Sequence, residues 1–248
     1  MLIYLRWRMT MNVRLDPLSV LRLFLTTEHS CSYLPGRRAR HLVADPLAVD
    51  NSLYSHLITL GFRRSGDHVY RPQCAGCKAC LSLRIPVPTF KPNRSQRRIW
   101  NKNQDLQVHW LEPCLHAEHY RLFARYLEAR HPNGGMDDSS PESYLSFITT
   151  GWSDTCLCEF RQDSRLLAVA VTDRVDDGLS AVYTFFDPAV TARSLGTYAI
   201  LWQIAEARRR GLEWVYLGYW VQECRKMAYK ANFRPCQLFI GGKWITVA

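Results

Sequence analysis

From about residue 113 onward, helical and strand-like segments follow one another in an order that few folds accommodate. Residues 116–131 show the periodicity of an amphipathic helix, and a second helix is predicted from Pro141 to Ile148. Three strand-like segments come next, separated by polar turns, at residues 155–160, 166–172 and 179–186. Because short turns connect strands that run in opposite directions, these segments predict an antiparallel meander.

The remaining segments of this half complete the pattern. A helix is predicted over residues 195–210 and ends at Gly211, and a strand follows over residues 213–219. A helix over residues 222–230 and a hairpin around Gly241-Gly242 come last. This order resembles the GNAT acyltransferase architecture, in which two central parallel strands splay apart to hold an acyl donor. The resemblance concerns the fold and fixes no chemistry.

The first half contains shorter elements, because proline and glycine interrupt it often. A helix is predicted near residues 50–60, with short strands near residues 68–70 and 81–86. We therefore predict an α+β protein in two parts. A smaller, cysteine-containing N-terminal α+β domain is expected over residues 12–112, and a GNAT-like acyltransferase domain over residues 113–248.

Charge and hydropathy restrict the partners and the compartment. The chain carries 32 Lys and Arg against 22 Asp and Glu, a net charge of +10 that favours a polyanionic partner such as nucleic acid. No apolar run approaches the roughly 18 to 20 residues that a membrane span needs, and residues 1–11 lack the apolar core of a signal peptide. Nine cysteines, an odd number, suit a reducing compartment. We expect a cytoplasmic protein that does not use a membrane.

Three cysteines recur at every third position of one short segment, as Cys74, Cys77 and Cys80. Gly76 allows the chain to turn so that their sulfur atoms converge. Cys31 completes a four-thiolate set for zinc or an iron–sulfur cluster. For zinc, the fourth ligand can instead be a histidine, namely His41, His56 or His68. A redox-active thiol pair and ordinary buried thiols are the other interpretations.

Residues 91–102 contain five cations and no acid, which are Lys91, Arg94, Arg97, Arg98 and Lys102. If the chain is helical after Pro92, Arg94, Lys102 and one of the two arginines between them share a face. Such a stripe can follow a phosphate backbone, with Trp100 packed inward or stacked on a base. We therefore predict binding of tRNA here, and a solvated helix face is the alternative.

Longer motifs carry a resemblance to a known family. They lie at residues 31–37, 61–66, 183–188, 194–198, 216–220 and 226–230. Together they resemble the bacterial aspartate/glutamate leucyltransferases, relatives of the eukaryotic arginyl-tRNA-protein transferases, over nearly everything after about Leu15. The resemblance implies transfer of leucine from leucyl-tRNA to the N-terminal amine of proteins that begin with Asp or Glu, which marks them for degradation through the N-degron pathway.

The same resemblance bears on the cysteines. The eukaryotic relatives carry a metal-binding cysteine cluster in the first domain, which supports Cys31, Cys74, Cys77 and Cys80 as ligands. The eukaryotic pattern pairs two cysteines near the position of Cys31, whereas Tyr33-Leu34 follows here. The implied cofactor is therefore zinc or iron–sulfur at this cluster, with no cofactor required for catalysis.

The implied reaction converts an ester into an amide and needs no ATP at this step. The acceptor amine has a reference pKa of about 7.7 to 8.0, so a weak base suffices. Candidate catalytic residues are Tyr219, Tyr229, Lys230 and Asp187. A helix N-terminus offers free amides to the donor, which predicts donor binding at Phe186, Ser194, Leu195, Gly196 and Thr197. Arginine forks bind carboxylates best, so the acidic acceptor is expected at Arg37, Arg38, Arg63 and Arg64.

Three alternatives stay open at this point. A coenzyme-A-dependent N-acyltransferase explains the order of elements, although Gly196 alone replaces the glycine-rich pyrophosphate loop of such enzymes. The same transfer with arginyl-tRNA as donor keeps the mechanism and changes the amino acid. A non-catalytic, zinc-containing RNA-binding protein explains the cysteines and the charge but gives the second half no role.

Overall fold

The computed structural model describes residues 8–16, 19–130 and 140–247. Its strands are β1 (Arg8–Asp16), β2 (Ser19–Leu25), β3 (His29–Ser30), β4 (Arg38–Ala39), β5 (His41–Ala44), β6 (Arg63–Ser65), β7 (His68–Pro72), β8 (Leu81–Pro86), β9 (Gln107–Leu111), β10 (Thr155–Gln162), β11 (Arg165–Val175), β12 (Gly178–Phe186), β13 (Trp214–Trp220), β14 (Cys236–Ile240) and β15 (Lys243–Val247). Its α-helices are α1 (Asn51–Thr59), α2 (Arg94–Lys102), α3 (Ala117–Arg130), α4 (Pro141–Ile148) and α5 (Leu195–Arg209). Two 3₁₀ helices cover Pro188–Arg193 and Arg225–Asn232.

A small antiparallel sheet forms the N-terminal part, in the order β1-β2-β5-β7-β6. Helix α1 begins at Asp50, whose side chain accepts a hydrogen bond from the Leu53 amide at 2.7 Å and so satisfies a free N–H of the first turn. The buried side chains of α1, Tyr54 and Leu57 among them, pack with Leu23 and Leu42 of the sheet.

A mixed eight-stranded sheet forms the larger part, in the order β15-β14-β8-β13-β12-β11-β10-β9. Side chains alternate between its faces, so Val169 and Val171 pack with α3 and α4, whereas Ala168 and Ala170 pack with α5. Helices therefore cover both faces. The predicted meander is confirmed, because β10, β11 and β12 pair antiparallel in sequence order.

The two central strands of this sheet separate. β12 and β13 run parallel, but they pair only between Gly178–Ser180 and Trp214–Tyr216, although both strands continue further. The register of β13 also shifts between Tyr216 and Gly218, where the chain bulges. Beyond these last pairs the strands enclose a space that we call the strand cleft.

Two sequence expectations require comment. β8 and β9 precede residue 113 and yet belong to the large sheet, β8 at its centre between β13 and β14; the division into 12–112 and 113–248 stays a prediction. The helix predicted over residues 222–230 is wrong in type, because this segment forms the 3₁₀ helix Arg225–Asn232. The predicted helix end at His131 lies outside the described residues. Among those residues, no helix is long and apolar enough to cross a membrane.

Candidate active site

Arg63, the first residue of β6, lies at the strand cleft with a group of tyrosines. Its guanidinium interacts with Tyr33, Tyr70 and Tyr219, and its Cζ lies 5.7 Å from the centroid of the Tyr219 ring. No carboxylate of the described ranges forms an ion pair with it. Arg63 is therefore a half-buried cation without a counter-ion among the described residues, and such a cation favours an external anion.

Gly218 makes room for this arginine. Its φ angle of 68° favours glycine, and a Cβ at this position would lie 3.1 Å from Arg63 Nη1. The walls of the surrounding cleft include Phe62, Leu83 and Val182. Arg63 thus lies beside an apolar wall, and none of the described carboxylates pairs with it.

Lys230 lies next to Gly218 and is 7% exposed. Its Nζ donates to Leu217 O and to Tyr219 O, each at 2.7 Å. Burial, followed by the positive charge of Arg63, lowers the pKa of Lys230 to about 7. Lys230 therefore combines a fixed position with a readily exchanged proton.

Tyr229 connects this part of the site with a second aromatic group. It is 42% exposed and interacts with Arg63 and with Tyr126 of α3. Burial of its hydroxyl group raises the pKa of Tyr229 to about 12, so the group is protonated at neutral pH. Tyr183 of β12 interacts with both Tyr126 and Tyr229. An aromatic surface thus continues from Arg63 to α3.

The predicted donor residues lie at the far end of this surface. The Phe186 ring is 4.9 Å from the Tyr126 ring, and it covers Gly196, where an added Cβ would lie 3.2 Å from it. Ser194 has a left-handed φ of 53° and its carbonyl accepts from the Thr197 amide, so the chain turns sharply into α5. Leu195, a predicted donor-binding residue, is 1% exposed and packs in the core.

Two other predicted site residues have structural partners instead. Tyr219 is 1% exposed and its hydroxyl donates to Tyr70 O at 2.9 Å, so it does not relay a proton in this arrangement. The Asp187 carboxylate accepts from the Ala189 amide at 3.0 Å and from Arg165 at 2.6 Å, so it caps a 3₁₀ helix. Both residues are thus engaged in hydrogen bonds within the fold, and their catalytic roles stay predictions.

Arg64, predicted to bind the acidic acceptor, has an internal partner instead. It is 1% exposed, and both Nε and Nη2 donate to Asp173 at 2.6 Å. Arg37 and Arg38 are exposed on the segment around the cysteines; Arg37 donates to Cys77 Sγ at 3.6 Å and Arg38 donates to Glu28 O at 2.7 Å. Of the four predicted arginines, Arg63 and Arg64 line the strand cleft, and the guanidinium of Arg64 is paired with Asp173.

The predicted cysteine ligands lie close together. Burial raises the pKa of Cys80 to about 12, and the charges of neighbouring thiols add to this effect, namely those of Cys31, Cys74, Cys77 and Cys224. Cys224, which sequence spacing treats as structural, thus joins the group. No set of three or more His, Cys, Asp or Glu within the described part of the chain is arranged to hold a metal ion. Zinc or iron–sulfur at this cluster stays a prediction.

The predicted basic helix is confirmed as α2, and its cations form what we call the basic stripe: Lys91, Arg94, Arg97, Arg98 and Lys102, all exposed. Asn93 and Gln96 cap the helix reciprocally. Trp100 packs inward, with its ring 5.6 Å from that of Tyr198, so it does not present a face to a base. This geometry does not test whether the basic stripe binds tRNA, which stays a prediction.

The basic stripe leads toward the donor residues. Arg193, next to Ser194, donates to Lys102 O at 3.4 Å, and Asn103 donates to Arg193 O at 2.9 Å. At the opposite end, Arg208 near the end of α5 donates to Phe90 O at 2.9 Å. α2 therefore runs antiparallel to α5, with Lys102 at the end nearest the start of α5.

Sequence reasoning missed Tyr33, Tyr70, Tyr126, Tyr183 and Gly218 as site residues. Gly218 had a detectable signal, because glycine within a strand often marks a bulge or a close approach. Tyr33 and Tyr183 lie within the motifs at residues 31–37 and 183–188, whereas Tyr70 and Tyr126 had no signal. The four come from a loop, two sheets and α3, and only the tertiary structure brings them together.

Comparisons with known proteins agree over most of the chain. The family described as Arginine-tRNA-protein transferase, N terminus, matches residues 29–98, and the one described as Arginine-tRNA-protein transferase, C terminus, matches residues 118–240. The C-terminal domain of a putative lysylphosphatidylglycerol synthetase from Agrobacterium fabrum aligns with 88% of this chain and 82% of its own, at 14% identity and a TM-score of 0.48.

Three curated relatives carry the name aspartate/glutamate leucyltransferase. That of Nitrosococcus oceani is 55% identical over 89% of this chain and 94% of its own length. Those of Chromobacterium violaceum and Pseudomonas aeruginosa are 48% and 50% identical, over 92% and 93% of this chain and 95% and 98% of their own lengths. With identity of this order along nearly the whole chain, the protein belongs to the aspartate/glutamate leucyltransferase family.

Proposed function

We propose that this protein transfers leucine from leucyl-tRNA to the N-terminal amine of proteins that begin with Asp or Glu, and thereby marks them for degradation. The observation that carries the proposal is Arg63, a half-buried cation at the strand cleft that lacks an acidic partner among the described residues. An N-terminal Asp or Glu side chain supplies the missing carboxylate. The names of the three curated relatives support the same donor and acceptors.

The acceptor binds at Arg63 through its side-chain carboxylate. A guanidinium offers paired donors in the geometry of a carboxylate, and partial burial strengthens this pair relative to water. Asn and Gln have similar shapes but no charge, so the site discriminates against them electrostatically. Tyr33 and Tyr70 limit the space around the guanidinium and so keep water from competing.

The donor binds along the other wall of the cleft. The pairing between β12 and β13 ends at Ser180 and Tyr216, as in a GNAT-like fold that holds an acyl group between such strands. The terminal nucleotide of the tRNA lies near Phe186, Gly196 and Thr197. From there, the basic stripe offers exposed cations to the phosphates of the acceptor stem.

The reaction needs little more than this positioning. The α-amine nitrogen attacks the ester carbonyl carbon, a C–N bond forms, and the C–O bond to the tRNA breaks, so the tRNA hydroxyl leaves with a proton. Holding two reactants in the correct geometry contributes up to about 7 to 11 kcal/mol. No step of this reaction passes through the cysteine cluster.

The test is transfer of labelled leucine from leucyl-tRNA to peptides that differ only in their first residue, which is Asp, Glu, Asn, Lys or Ala. We expect transfer to Asp and Glu alone. Arginyl-tRNA, run in parallel, is expected to be a poor donor. Transfer that ignores the first residue would contradict the role of Arg63, and absence of transfer from leucyl-tRNA would contradict the function.

A further inference from the structure

Lys230 occupies a position that a neighbouring strand would otherwise occupy. β13 loses its partner β12 after Tyr216, and its carbonyl groups at Leu217 and Tyr219 would then lack donors on that side. The Lys230 Nζ satisfies both, at 2.7 Å each. The amine is thereby fixed at the point where the strands separate, next to Gly218.

The groups around Nζ favour its neutral form. Arg63 faces it with a positive charge, and Cys224 is the titratable group that acts in the opposite direction. Burial, followed by the charge of Arg63, lowers the pKa of Lys230 to about 7. Within the described ranges, Nζ has two hydrogen-bond acceptors and no carboxylate partner. A neutral amine has two hydrogens, so both are used and its lone pair stays free.

We propose that the neutral Lys230 Nζ accepts the proton that the α-amine of the acceptor loses as it bonds to the leucyl carbonyl carbon. This proposal rests on the leucyl transfer proposed above. It assigns to Lys230 one specific role in that reaction. Tyr219 then holds a carbonyl that orients the base, and Tyr229 borders the same space.

The position of Arg63 supports this assignment. Arg63 and Lys230 are close enough for the charge of one to change the pKa of the other. In an N-terminal Asp, three bonds separate the α-nitrogen from the side-chain carboxyl carbon. A carboxylate bound to Arg63 therefore keeps the α-amine in the vicinity of Nζ. The same interaction offsets the charge of Arg63, which makes Lys230 a stronger base when an acidic acceptor is bound.

The proton balance of the step closes without any other reactant. The nitrogen lone pair forms the C–N bond, and the positively charged nitrogen gives one proton to Nζ. Collapse of the tetrahedral intermediate breaks the C–O bond, and the tRNA oxygen takes up a proton from the Lys230 ammonium. Lys230 is thus neutral again at the end of the cycle.

The experiment compares the wild-type protein with Lys230→Arg and Lys230→Met from about pH 6 to about pH 9, using leucyl-tRNA and an Asp-initiated peptide. Lys230→Arg keeps donors for both carbonyls but cannot accept a proton. The matched control is Lys243→Met, an exposed lysine in the last hairpin. Circular dichroism establishes whether each variant is folded. If Lys230→Met is unfolded, the result for Lys230→Arg decides the outcome.

For the wild type, we expect kcat/KM to rise with pH through about 7, because Lys230 must be neutral to act. Lys230→Arg should lower kcat about 10²- to 10³-fold at neutral pH and leave the KM of the peptide within about threefold. It should also remove the break near pH 7, so that only the ionisation of the acceptor amine, at about 7.7 to 8.0, shapes the profile. Lys243→Met should behave as the wild type.

A second acceptor separates proton transfer from a structural role. It carries an aminooxy group in place of the α-amine, and this group is already neutral at pH 7. Lys230→Arg should lose less than about tenfold with it, because the protonated nitrogen of its adduct is a much stronger acid and can give its proton to water. Equal losses with both acceptors, or a Lys230→Arg profile that keeps the break near pH 7, would overturn the proposal. Failure of the wild type to transfer leucine would instead contradict the proposed function.

Discussion

Arg63 and Arg64 are consecutive residues of β6, and they have opposite surroundings. Arg64 is 1% exposed and donates twice to Asp173 at 2.6 Å, with Thr155 Oγ1 at 3.0 Å from its Nη2. Arg63 is half-buried among tyrosines and forms no ion pair with a described carboxylate. Adjacent strand residues point to opposite faces, so one arginine enters the interior and the other enters the strand cleft.

The same contrast occurs on the surface. At the end of α5, Glu206 accepts from both Arg209 and Arg210 at 2.7 Å. On α2, Arg94 and Arg98 have no acidic partner within the part of the chain that the structure describes. Cations that the fold itself neutralises serve stability, whereas cations that it leaves unpaired are available to a substrate. Four predictions test this distinction, which we call the pairing rule.

The largest effect is expected from breaking the buried pair. Arg64→Met leaves the Asp173 carboxylate buried without a cation and should lower the free energy of unfolding by about 3 to 5 kcal/mol. Urea denaturation followed by circular dichroism measures this decrease. The double variant with Asp173→Leu should recover part of it, because the unpaired charge is then removed. A decrease below about 1 kcal/mol in Arg64→Met would contradict the pairing rule for this residue.

The adjacent arginine should show the reverse behaviour. Arg63→Gln should lower kcat/KM for Asp-initiated peptides about 10²-fold, because the acceptor carboxylate loses its charged partner. The free energy of unfolding should change by less than about 1 kcal/mol. Arg63→Lys, which keeps the charge without the fork, is expected to retain part of the activity. Equal loss for Asp- and Asn-initiated peptides would show that Arg63 does not read the acceptor charge.

These two arginines also show how far the sequence is informative. Local patterns predict the helices at residues 50–60, 141–148 and 195–210 and the meander, because each depends on residues close in the chain. They do not predict the position of β8 between β13 and β14, since it depends on pairing between distant segments. Motifs likewise select both Arg63 and Arg64, yet only the tertiary structure shows that Asp173, more than a hundred residues away, neutralises one of them.

The choice of catalytic candidates from the sequence is limited for the same reason, because it also depends on contacts between distant segments. Tyr219 and Lys230 are equally plausible from residue type, and both are buried. The hydroxyl of Tyr219 has its hydrogen committed to a carbonyl of β7, whereas a neutral Lys230 satisfies two carbonyls of β13 and retains a lone pair. Hydrogen-bond partners from other strands decide between them, and sequence spacing does not contain this information.

An intermediate effect is expected on the basic stripe. Replacing Arg94, Arg98 and Lys102 by Gln should raise the KM for leucyl-tRNA about tenfold. The dependence of log KM on the logarithm of the salt concentration should also become weaker, its slope falling by about 0.7 to 0.9 for each phosphate that the variant no longer neutralises. The control replaces Arg209 and Arg210, which share the carboxylate of Glu206, and the two sets are compared per cation removed. Kinetics at several salt concentrations give both slopes. Equal effects in the two sets would show that internal pairing does not distinguish tRNA-binding cations.

The smallest effect is expected at Asp187, a predicted catalytic residue that the structure pairs internally. Asp187→Asn keeps an acceptor for the Ala189 amide but loses the charge that faces Arg165, whose side chain is 58% exposed. Because solvent screens this pair, the free energy of unfolding should fall by only about 0.5 to 1 kcal/mol, and kcat should stay within about twofold.

The pH dependence of this small effect identifies its cause. Burial alone would raise the pKa of Asp187, but the Ala189 amide and the Arg165 guanidinium outweigh it and lower the pKa. A lowered folded-state pKa stabilises the protein above the unfolded value, about 3.9, and this contribution disappears as the pH falls through the folded value. Thermal unfolding should therefore separate wild type from Asp187→Asn at pH 7 and bring them together in strong acid. A large fall in kcat at unchanged stability would instead show that Asp187 has a catalytic role although it is paired internally. The pairing rule would then be wrong for this residue.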